Sequence, residues 1–202
     1  MSKRTAILQA ATYAFATKGF SETSTTDLAG MTGVAEGTIF YHFGSKEKLF
    51  LAVLDHVRRE LEHAFAASLE SAEVGSGLAM LEEAAAFYLR LAGEKPELFL
   101  ILHRNDAYEL SRSNEQCRGE LEKIFNCLVG IFQEALTRGQ ADGSVAPVAT
   151  RRMALLVFTM VDGLVRLRDS GVYEAGAMFP EVMRACRTLV SPTAQESDPC
   201  RS

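Results

Sequence analysis

Thr25-Thr26-Asp27-Leu28-Ala29-Gly30-Met31-Thr32-Gly33-Val34-Ala35-Glu36-Gly37-Thr38-Ile39-Phe40-Tyr41-His42-Phe43 is the stretch on which the reading of this chain turns. Two short helical segments, Thr25 to Thr32 and Glu36 to about His42, flank a three-residue turn led by Gly33. That arrangement is the signature of a helix-turn-helix. Leu28, Ala29 and Met31 are expected to face inward from the first helix, toward Val34, Ile39 and Phe43. The small Ala29 side chain permits a close crossing. Upstream, the hydroxyl-rich run Ser21 to Thr26 supplies a loop and then an N-cap.

The second helix then turns Glu36, Gly37, Thr38, Tyr41 and His42 outward. Those residue types suit a DNA groove. Gly37 lets the backbone approach closely, and Thr38 donates to a phosphate or touches a thymine methyl. Tyr41 and His42 donate to phosphate oxygens, and Glu36 accepts from a cytosine amine. Lys46 offers a cation beside a helix N-terminus, and Thr25 opens the first helix of the pair.

Working outward, Lys3 to Lys18 has apolar residues Ile7, Ala10, Ala11, Ala14 and Phe15 at helical spacing and stops at Gly19. Ser45 caps a long helix from Lys46 to about Leu69. Further helices are expected at Leu78 to Leu91, Pro96 to about Tyr108, Asn114 to Gly139, Val148 to Ser170 and Phe179 to Leu189. The loop between Gly139 and Pro147 turns at Asp142-Gly143. Only five prolines occur in 202 residues, so long stretches carry no helix breaker. The fold expected is all-α: a three-helix helix-turn-helix domain joined by a long helix to a larger helical bundle, about nine helices in all. The domains are read as 1–48, 49–190 and a polar, disordered tail over 191–202.

Charge is permissive. The chain carries a net charge of −5, but residues 1–48 hold five basic residues against four acidic ones, so the acid excess lies beyond them. No apolar run spans a bilayer and no secretory leader is read, so a cytoplasmic protein without membrane association is expected. Cys117, Cys127, Cys186 and Cys200 match no zinc or redox spacing and are read as reduced thiols, three of them packed on helices. His56, Glu60 and His63 share a helix face, but beside Arg59 that face is read as solvated rather than metal-binding. No phosphate loop, dinucleotide fingerprint or nucleophile elbow is present, which argues against an enzyme and calls for no cofactor.

Residues 4–51, and above all Gly33 to Leu49, resemble the DNA-binding domain of the TetR family of transcriptional regulators. The resemblance implies double-stranded DNA as partner, contacted by Thr25, Thr26, Glu36, Gly37, Thr38, Phe40, Tyr41, His42 and Lys46. Two positions depart from the family pattern. Ala35 replaces a small hydroxyl residue and removes a helix cap, and Phe40 replaces a tyrosine.

The resemblance further implies a homodimer, a small-molecule effector and a repressor released from a near-palindromic operator. A dimer also follows from the few bases one short helix covers. Its interface is expected on the last two helices, through Met153, Leu156, Val157, Met160, Leu164, Val182, Met183 and Cys186. The effector pocket is expected among Phe87, Leu91, Phe99, His103, Phe125 and Phe158. The polar run His103 to Asp106 beside it is read as a solvated helix end.

Overall fold

The computed structural model describes residues 2–71, 75–171 and 175–192, and every statement about structure below concerns those residues. The expected tail lies almost wholly outside them, as does Cys200. The chain is all-α, with ten α-helices and one 3-10 helix: α1 (Lys3–Thr17), α2 (Thr25–Thr32), α3 (Glu36–Phe43), α4 (Lys46–Ser71), α5 (Gly77–Glu94), α6 (Pro96–His103), α7 (Asn105–Ser113), α8 (Glu115–Asp142), α9 (Thr150–Asp169), the 3-10 turn Ala175–Met178, and α10 (Phe179–Val190).

Two compact units emerge. One comprises residues up to Leu61 together with Glu94–Phe125, and the other comprises Glu62–Gly93 together with the residues from Asn126 on. Compactness therefore divides the chain differently from a functional division at residue 48, because α6 packs on α1 and brings the residues up to Phe125 into the first unit.

The first unit is built on an aromatic cluster. Phe15 of α1, Phe20 of the following loop and Phe50 of α4 lie 5.0–5.7 Å apart, centroid to centroid. Ile7, Ala11, Leu28, Ile39, Leu49 and Val53 close around them, fully buried. Thr23 is buried too, and its hydroxyl donates to the Gly19 carbonyl at 2.7 Å, which ties the end of α1 to the entry of α2. Met31, expected inward, is exposed. Leu28 is the one buried residue of α2.

The helix expected from Pro96 to Tyr108 is two helices. Arg104 has an extended backbone (ψ 145°) that separates α6 from α7. Its guanidinium donates to the carbonyls of Thr17 (3.3 Å) and Lys18 (3.0 Å) at the end of α1, and to Asp106 at 3.0 Å. Asp106 in turn accepts from the Ser21 amide at 3.3 Å. The polar run read as a solvated helix end is thus a clamp on the last turn of α1. Burial alone would push the Asp106 carboxyl up. The hydrogen bonds from Arg104 and Ser21 and the Arg104 charge outweigh it and hold the carboxyl below the ordinary range.

In the second unit, Gly139 is no breaker. It lies inside α8, which continues to Asp142. Asp142 and Ser144 accept the first amides of α5, Gly77 at 2.7 Å and Leu78 at 3.1 Å, so the turn after α8 caps α5. The unit's core is Leu81, Ala84, Leu128, Phe132, Val157 and Val161. Within it Tyr88 donates to the buried Asp162 at 2.7 Å, and Arg166 donates to the other carboxylate oxygen at 2.8 Å. Burial raises the Cys186 thiol, and likewise that of Cys117 in the first unit, to about 11. Both behave as small apolar side chains.

Candidate nucleic-acid interface

α2 begins with a capping box. The Ser24 hydroxyl accepts the Asp27 amide at 3.0 Å, and the Asp27 carboxylate accepts the Ser24 amide at 3.2 Å. Gly33 ends it with a left-handed backbone (φ 67°), a conformation that favours glycine. Ala35 precedes α3 with the extended backbone of an N-cap but no side-chain acceptor. Ile39 and Phe43 anchor α3 in the core.

The outward side of α3 is unusual for a small soluble unit. Tyr41 is 85% exposed and Phe40 45% exposed, next to the open backbone of Gly37. Thr38 and His42 flank them, half-buried, with the His42 ring 5.2 Å from that of Tyr41. Large aromatic side chains left in water mark a surface built to meet something.

Three of the expected contact residues meet one another. The hydroxyls of Thr25 and Thr26, in the first turn of α2, both donate to the Glu36 carboxylate at the start of α3, Thr26 at 3.4 Å. That carboxylate also sits at helix N-termini, where negative charge is favoured. The grip ties the start of α3 to α2 but accepts none of the α3 amides that a cap at Ala35 would satisfy. Restoring a hydroxyl at the cap should still add stability. Ala35→Ser is expected to raise the melting temperature by about 2–4 °C, from a cap worth ~1 kcal/mol. Thermal denaturation followed by circular dichroism checks this, and no rise would mean that a hydroxyl at residue 35 gives the α3 amides nothing.

Lys46 lies at the start of α4, its ammonium 4.5 Å from the centre of the Phe20 ring and 3.4 Å from the Ser21 carbonyl. Arg4 was not among the sequence candidates. Its guanidinium stands 5.1 Å from the Phe43 ring centre, which places a second cation beside α3. The signal was the Lys3-Arg4 pair opening α1, whose proximity to α3 depends on the fold.

Residues 7–53 match the family model of bacterial regulatory proteins of the tetR family. The regulator TtgR of Pseudomonas putida is 29% identical over 171 residues, covering 81% of this chain and 78% of its own. Residues 7–53 thus match the tetR-family domain, and most of the chain is similar to a transcriptional regulator. The HTH-type transcriptional repressor Rv3405c of Mycobacterium tuberculosis is 50% identical over 56 residues, which is 28% of this chain and 30% of that one. A transcriptional regulator from Saccharomonospora viridis, solved in complex with choline, shares the fold with a TM-score of 0.80 at 19% identity, over 93% of this chain and 97% of the other. TtgR and Rv3405c are both HTH-type transcriptional regulators.

The remaining TetR family expectations fall unevenly. Of the six effector candidates, Phe99, His103 and Phe125 belong to the first compact unit and Phe87, Leu91 and Phe158 to the second. Among the dimer candidates, Val157, Leu164, Met183 and Cys186 are buried within their own unit. Met153, Leu156, Met160 and Val182 keep exposed surface, and Leu155, Leu167 and Leu189, not named from sequence, join them. Glu60 of the histidine-rich face is paired with Lys95 at 2.7 Å.

Proposed function

We propose that this chain is a repressor that binds a near-palindromic operator as a homodimer, laying α3 in the major groove, and that a small molecule releases it. The observation that carries the reading is the solvent-facing Tyr41 and Phe40 beside Gly37, on a helix whose other side is locked into the core. Thr38, Tyr41 and His42 supply hydroxyl and imidazole donors to phosphates, Gly37 permits close approach, and Phe40 meets a thymine methyl or sugar. Lys46 and the backbone amide of Thr25, at helix starts, add phosphate contacts. Thr26 and Glu36 act mainly by holding α3 on α2, with the Glu36 carboxylate free to exchange a threonine for a cytosine amine.

The dimer is supported by the exposed apolar surface of α9, where Leu155 and Leu156 are 45% and 44% exposed, and by Leu189 on α10. Two α3 helices about one DNA turn apart would read a symmetric site. Effector release has its support in the fold neighbour that holds choline. A cytoplasmic location follows from the DNA partner, and no described helix is long and apolar enough to cross a membrane.

Selection of bound sequences from random duplexes tests this reading. A two-fold symmetric consensus is expected, and an asymmetric one would sink the dimer. On the selected duplex, Tyr41→Ala combined with Thr38→Ala is expected to weaken binding by about tenfold or more, a loss of ~1.4 kcal/mol or greater. Lys46→Ala should lower the slope of affinity against salt by about one. Binding that ignores all three changes would remove α3 as the reading helix.

A further inference from the structure

The second compact unit contains a cavity of about 360 Å³ between α5, α9 and the start of α10, and none of the six expected effector residues lines it. Its walls are mostly apolar, formed by Leu89, Leu164, Val165 and Phe179 among others. Among the described residues, two charged ones line it, Arg90 and Arg168, and no acid does. A cavity of this size suits a small organic ligand.

The two guanidiniums are fixed but not saturated. Arg168 donates through Nε and Nη2 to Asp169 at 3.0 and 2.8 Å, and through Nη2 to the Ala92 carbonyl at 2.9 Å. Arg90 donates through Nη2 to Glu83 at 2.6 Å and sits 5.6 Å from the Phe87 ring centre. Among the described residues, Nη1 of Arg168 and both Nε and Nη1 of Arg90 donate to no acceptor and keep N–H groups open. An apolar chamber whose charged walls, among the described residues, are forked cations selects a ligand with an apolar body and an anionic head, because guanidinium geometry matches a carboxylate.

We propose that this cavity binds an amphipathic carboxylate, an aliphatic or aryl acid whose carboxylate pairs with Arg90 and Arg168 while its apolar body packs on Leu164, Val165 and Phe179. That such an acid is the effector rests on the regulator reading above; that it binds does not.

The test uses the full chain and three probes of one chain length: octanoate, octanol and octyltrimethylammonium, titrated by calorimetry. Octanoate should bind at least about tenfold more tightly than the other two. Arg90→Gln, at an exposed side chain that leaves the core intact, should narrow that gap, and Arg90→Gln with Arg168→Gln should close it. Leu89→Trp, which fills the chamber from its rim, should block octanoate without lowering the melting temperature. Equal binding of the three head groups, preference for the cation, or octanoate binding unchanged in Leu89→Trp would overturn the proposal. Operator binding is measured on the same preparations. A chain that binds octanoate but no DNA overturns the regulator reading alone, and one that binds DNA but no octanoate overturns this one alone.

Discussion

Gly77→Ala is expected to destabilise the second compact unit by about 3 kcal/mol or more, enough to lower its melting temperature by roughly 6–12 °C. A β-carbon at residue 77 would lie 2.0 Å from the Gly139 nitrogen, 2.3 Å from its α-carbon and 2.6 Å from the Ala135 carbonyl. All three are backbone atoms of α8, so no side chain can rotate away. Relief requires α5 to lift off α8, and that breaks the Asp142 and Ser144 caps on its first amides. The matched control is Gly130→Ala, on the same α8, where a β-carbon would meet nothing within 4 Å. There alanine should stabilise by about 0.5–1 kcal/mol, through helix propensity alone. Paired thermal melts of the two variants decide it. Equal and small shifts would mean that α5 and α8 do not cross as closely as described.

Arg104→Ala should cost about 2 kcal/mol, because it removes donors from two carbonyls at the end of α1 and strands the Asp106 carboxylate. The figure is at the lower end for charged hydrogen bonds because the arginine side chain is 35% exposed and solvent screens it. Gly19 supplies an internal check. It has φ +100°, and a β-carbon there would lie 2.6 Å from the Arg104 guanidinium. Gly19→Ala should therefore be less damaging in the Arg104→Ala background than in the native one, a coupling that a double-mutant cycle measures. Strict additivity would remove the clamp.

Acid supplies a second readout of the same clamp. The Asp106 carboxyl is held below its ordinary value of 3.8 in the folded state. Its contribution is complete above that value and fades as pH falls toward the lower folded value. The penalty of Arg104→Ala should accordingly shrink below about pH 4.

What the sequence made legible was local. Gly33 marks the end of α2, Pro96 marks the start of α6, and Ala35 is seen to leave α3 without a side-chain cap. Each of these is a property of a few neighbouring residues. Arg104 breaks a helix for the sake of carbonyls 86 and 87 positions away, and no window of sequence contains both partners. Gly139 was misread for a related reason. Glycine marks a chain break and a close helix crossing alike, and only Gly77 and Val145 beside it reveal the second. On α9 the 3.6-residue period finds an apolar helix. It does not separate Val157 and Leu164, which face their own unit, from Leu155 and Leu156, which are left in water. The candidate contacts on α3 were legible as residue types. The grip of Thr25 and Thr26 on Glu36 was not, because it spans two helices.

That grip has a kinetic consequence. An uncapped eight-residue helix should fray at its first turn, and its amides should exchange with solvent almost freely. With Glu36 held from α2, the start of α3 is ordered before any duplex arrives, and little conformational entropy is left to lose on docking. The Ile39 and Phe40 amides should exchange slowly in the free protein, and Glu36→Ala should release them while those of α1 stay protected. Association would then slow, since fewer encounters would find the reading helix already formed.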